Sequence, residues 1–182
     1  MSKTQTPDQF TEHCRSLVAK KQDSISQLRD QVAAIETRLA KFSDSPSIEG
    51  YEAAVKDQTE LSSRKALVER IERSFHPERE LDLLLNTPEG KRVLDEHLSR
   101  KSKFIDGLRE EARKLRAKAL TAEERNDDSC HDLNQKADDL LDTFDAGTNE
   151  IKTAGDHIKR MAVTIDSMVN FRTICDRLDS IV

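Results

Sequence analysis

Three isoleucines at seven-residue spacing, Ile151, Ile158 and Ile165, constrain this chain more than any other feature. Ala154, Met161 and Met168 lie along one side of that row, and Gly155, Ala162 and Val169 along the other. At 3.6 residues per turn these positions gather into one apolar stripe, wider than a two-position seam and suited to a bundle core. The stripe runs on through Phe171, Ile174, Leu178 and Ile181.

Composition points the same way. Charged residues make up 36% of the chain against 35% hydrophobic, with five glycines, four prolines and no tryptophan. That balance, with apolar residues at helical spacing, predicts long helices rather than a sheet or a disordered tail. The expected fold class is all-α: an elongated antiparallel helical bundle or coiled coil of about four long helices.

Thr6-Pro7-Asp8-Gln9 reads as a helix start, with Thr6 as N-cap, Pro7 in the first turn and Gln9 completing a capping box. The first helix is expected to reach about Phe42, with Phe10, Cys14, Leu17, Ile25, Leu28, Val32, Ile35 and Leu39 inward and Lys21 interrupting the seam. The second spans roughly Pro46 to Phe75, with Ile48, Tyr51, Val55, Leu61, Val68, Ile71 and Phe75 inward, and Pro77 ends it. Leu81 to Leu85 can form a short closing helix. Thr87-Pro88 starts a third long helix through Leu94, Leu98, Ile105, Leu108, Ala112, Leu115 and Ala119. Ser129 with Asp132 can cap a fourth. The expected division is a three-helix bundle over 1–128 and a long C-terminal helix over 129–182.

Short connections favour antiparallel neighbours. Charge supports pairing of the last two arms: Thr87–Leu120 carries ten Lys/Arg against six Asp/Glu, and Thr121–Val182 seven against fourteen.

Chemistry-bearing patterns are sparse. His13-Cys14 and Cys130-His131 supply the ligand types of a zinc site, but an up-down bundle separates them, and adjacent helix residues point about 100° apart. No histidine has a glutamate three residues before it, as a di-iron bundle needs. There is no Gly-rich phosphate loop. The expectation is no enzyme, no cofactor and no metal. The basic run Arg109, Arg113, Lys114, Arg116 and Lys118 is interleaved with Glu110 and Glu111 and lacks aromatics, so a solvated face is expected rather than a nucleic-acid site. A net charge of -5 also gives nucleic acid no attractive overall field. Three scattered cysteines without a CxxC pair favour free thiols and a reducing, cytoplasmic setting. No apolar run approaches the roughly 18 to 20 residues of a membrane span, and Met1–Phe10 has no signal-peptide core, so no direct membrane insertion is expected.

Ile151-Lys152-Thr153 through Met161-Ala162, and on to Ile174-Cys175-Asp176-Arg177, resembles the membrane-proximal half of a Golgi-type SNARE motif. That resemblance covers about 30 residues. It implies three N-terminal helices before a fusion helix, and a membrane-trafficking role. Gly147 stands about where that motif's central glutamine falls, its first half is short, and no anchor follows within these 182 residues.

The favoured expectation is a non-enzymatic scaffold or adaptor working through coiled-coil contacts. Three arms of about 36, 31 and 34 residues beside a 54-residue fourth leave some 18 to 20 residues overhanging, about 27 to 30 Å. A straight fourth helix would expose Ile165, Met168, Phe171, Ile174, Leu178 and Ile181 as a docking strip for another helical protein or a second copy. A bend at Gly147 or Gly155 is the alternative.

Overall fold

Thr6, Pro7 and Gln9 start the first helix as a reciprocal cap. Thr6 N–H donates to Gln9 Oε1 at 3.1 Å and Gln9 N–H to Thr6 Oγ1 at 3.2 Å, which satisfies amides that have no acceptor inside a helix. The computed structural model describes residues 5–125, 127–161 and 170–181. These form α1 (Pro7–Asp44), α2 (Ile48–Ser74), α3 (Pro77–Leu85), α4 (Pro88–Glu124), α5 (Ser129–Arg160) and α6 (Phe171–Asp179), with no strand among the described residues. The all-α class stands. Among the described residues the helix count is six rather than about four, because Pro77 opens a separate nine-residue helix and Asn170 caps a new one. No helix among the described residues is long and apolar enough to cross a membrane.

Capping chemistry sets most boundaries. Ser47 and Thr87 each accept from an amide three residues on, Gly50 and Gly90, at 3.1 and 3.3 Å. At the α5 start the acceptor is Asp127, whose Oδ1 takes the Ser129 amide at 3.0 Å; Ser129 is the first helical residue and not the cap.

The chain divides into two compact units, Met1–Thr11 with Asp82–Val182, and Glu12–Leu81. The expected boundary at 128/129 therefore falls inside the first unit, in the connection between α4 and α5.

In the first unit α4 and α5 run antiparallel. Arg116 pairs with Asp138 at 2.8 Å, the Arg109 guanidinium lies 5.5 Å from the Phe144 ring centre, and Ile105 sits against Gly147. Small residues line this seam: Ala112, Ala119, Ala122, Ala137 and Ala154 are all buried. Helix α6 lies antiparallel to α5, through Arg177–Glu150, and parallel to α4, through His97–Asp179 at 3.0 Å and Lys101 Nζ on the Ile181 carbonyl at 2.7 Å. The first turn of α1 closes the cluster, with the Phe10 and Phe171 rings 5.6 Å apart. Gly90 is required here, since a Cβ would run into the Leu85 carbonyl.

In the second unit α1 and α2 form an antiparallel hairpin. Arg29–Glu72, Glu36–Lys65 and Arg38–Asp57 pair across it at 2.6, 2.5 and 2.8 Å, and Arg64 reaches Gln31. Lys21, the break in the apolar seam, puts its ammonium 5.3 Å from the Phe75 ring centre and on Glu80 at 2.8 Å. Val18 is buried in place of Leu17, which is exposed.

Candidate functional site

The expected docking strip takes a different place. Ile165 and Met168 lie outside the described residues. Phe171, Ile174, Leu178 and Ile181 are 1%, 0%, 0% and 4% exposed, inside the first unit's core. Helix α6 runs antiparallel to α5 instead of continuing it, and neither Gly147 nor Gly155 ends α5. Both of those glycines remain within α5 and face α4, through Ile105 and Leu98. Short-range chemistry fixes the return. Asn170 accepts from Thr173 N–H at 3.0 Å. Asn86 is a buried polar side chain that accepts the Phe171 amide at 2.9 Å and donates to the Asp82 carbonyl at 2.8 Å. Arg172 adds an ion pair to Asp82 at 3.2 Å.

Residues of the SNARE-like stretch are spent on the same unit. Ala154, Ile158, Met161 and Ile174 are buried, and Gly147 holds Ile105.

Among the described residues, no group of three or more His, Cys, Asp or Glu is arranged to hold a metal. Cys14, Cys130 and Cys175 are free. Burial raises the thiol pKa of Cys14, and burial, with Asp179, Asp176 and Asp8 nearby, pushes that of Cys175 up to about 12. Both are the reverse of an activated thiolate. Within the basic run, Arg113 pairs with Glu110 on the same helix, Arg116 with Asp138 of α5, and Arg109 lies over the Phe144 ring.

A cleft of about 520 Å³ lies between the first turn of α1, α4 and the end of α6. His97 and Lys101 on its wall are engaged by Asp179 and the Ile181 carbonyl.

An exposed apolar surface lies at the tip of the second unit's hairpin. Ile48, Tyr51 and Val55 are 96%, 64% and 49% exposed, and Ile48 and Tyr51, with Phe42, Pro46 and Glu52, border a groove of about 490 Å³. The sequence reading had placed all three inward. The bidentate Arg38–Asp57 pair, both bonds 2.8 Å, turns the Asp57 side of α2 toward α1. The inward row is Ala54, Asp57, Leu61, Val68, Ile71 and Phe75, all at least half-buried. At about 100° per residue, Ile48, Tyr51 and Val55 fall on the opposite side. The missed signal was polar: Asp57 and Arg64 continue the Leu61-Val68-Ile71 row and have partners across the hairpin.

The fold defines the chain's class as all-α helical. No family model, curated protein or solved structure matches it.

Proposed function

We propose that this chain is a non-enzymatic helical interaction protein, a scaffold or adaptor built as an antiparallel helical bundle and acting in the cytoplasm on a helical partner. The observation that carries this reading is the outward row Ile48, Tyr51 and Val55. Three large apolar side chains at helical spacing beside a groove are a contact surface in waiting. Tyr51 is the chain's single tyrosine, a residue type enriched at interface centres.

The test is affinity capture from cells with the full chain and with Tyr51→Asp, scored by quantitative mass spectrometry. A defined set of helical partners lost in Tyr51→Asp, with its circular dichroism and melting unchanged, supports the proposal. Identical recovery by the two proteins refutes it.

A further inference from the structure

We infer that the outward face of α2 pairs with the same face of a second copy, as an antiparallel two-fold contact centred between residues 53 and 54. This rests on reading the hairpin tip as an interaction surface and adds the identity of the partner. The charges on the face carry the inference. Other charged groups of α2 pair across the hairpin or along the helix, Asp57 with Arg38, Glu60 with Arg64, Lys65 with Glu36, Glu69 with Arg73 and Glu72 with Arg29, whereas Glu49 at its start and Arg70 near its end do not among the described residues. Among the described residues, Glu52 and Lys56 make no ion pair or hydrogen bond, and both flank the same side of the exposed apolar row.

Their order makes the face complementary to itself. Tyr51 and Val55 are four residues apart, and so, one position on, are Glu52 and Lys56. Turning a second helix end for end about the midpoint brings Tyr51 level with the other Val55, and Glu52 level with the other Lys56, each within about 1.5 Å along the axis. Antiparallel helices place like flanks side by side, so the two charge pairs border the apolar contact. Ile48 then reaches along the second copy to Thr59. A two-fold axis repeats each contact, as isologous dimers require. A parallel arrangement would set unlike flanks side by side, so that Glu52 would not meet Lys56 and the match would be lost.

Sedimentation equilibrium of the purified full chain tests this, with Tyr51 emission followed over the same concentrations. The chain has no tryptophan, so that emission reports the interface alone. The expected result is a monomer–dimer equilibrium tracked by Tyr51, abolished by Tyr51→Asp. Glu52→Lys should weaken it on the order of tenfold, and Glu52→Lys with Lys56→Glu should restore it. Helicity is checked for every variant. A monomer at all concentrations, a dimer indifferent to Tyr51→Asp, or a double variant as weak as Glu52→Lys alone each overturns the inference. If the chain is monomeric while Tyr51→Asp still loses its cellular partners, the second-copy inference falls and the interaction reading stands. If Tyr51→Asp changes neither measurement, both fall.

Discussion

Ile105 of α4 fills the space in front of Gly147 of α5 that a side chain there would need, with its Cγ1 3.0 Å from where a Cβ would stand. Overpacking a closed core costs about 1 to 3 kcal/mol, and replacing a helical glycine by alanine returns roughly 0.8 to 1 kcal/mol. Gly147→Ala is therefore expected to destabilise by about 1 kcal/mol, and to become stabilising once Ile105→Ala has emptied the space. A double-mutant cycle by urea denaturation measures the coupling. The same sign in both backgrounds would remove Ile105 as the reason for this glycine.

Helix α6 is core, so removing it should be severe. Deleting residues 171–182 takes away four buried apolar side chains and should abolish cooperative melting of the first unit. Phe171→Ala alone is expected to cost about 3 to 5 kcal/mol. Asn86→Ala strands the buried Phe171 amide, a loss of about 1 to 3 kcal/mol. Hydrogen exchange at that amide should quicken; unchanged protection would mean that Asn86 does not hold it.

The Arg38 guanidinium, bonded to both carboxylate oxygens, holds the Asp57 pKa below its ordinary value of 3.8. A depressed carboxylate contributes stability that is fully present above that ordinary value and is lost as pH falls through the lower, folded one. Asp57→Asn should therefore be less stable than the native chain at pH 7, with the gap closing in the acid range below 3.8. A gap that is constant from pH 7 to pH 2 would be inconsistent with this account.

The thiols give a chemical readout of the same core. With its pKa near 12, Cys175 is almost wholly protonated at neutral pH, and Cys14 is buried. Both should react with iodoacetamide far more slowly in the native chain than in urea. Asn86→Ala should speed Cys175 by loosening α6 while leaving Cys14 unchanged. Equal native and denatured rates at Cys175 would contradict the burial seen here.

What the sequence disclosed was mainly local. Thr6–Gln9 and Thr87 cap helices through contacts three residues long, and the acidic–basic contrast between α4 and α5 is realised in Arg116–Asp138. The stripe from Ile151 to Ile181 was correctly read as apolar, but its destination was not legible. Periodicity fixes which residues share a face, whereas the place α6 takes is tied to Asn86, 85 residues away. Ile48, Tyr51 and Val55 failed for a related reason. Hydrophobicity marked a face, and the roll of α2 was decided by Asp57 finding Arg38.

The first unit leaves off at Thr11 and resumes at Asp82, and this has a consequence for how the protein is made. A ribosome has delivered the whole second unit by Leu81, but Phe10 meets Phe171 only once α6 has been made. At about 5 to 20 residues per second, some 5 to 20 s separate the completion of the two units. Closing so long a loop also slows the search itself. During that delay the apolar start of α1 is a nascent chain without its partner, open to whatever escorts new proteins, and the arrival of α6 decides whether the unit closes.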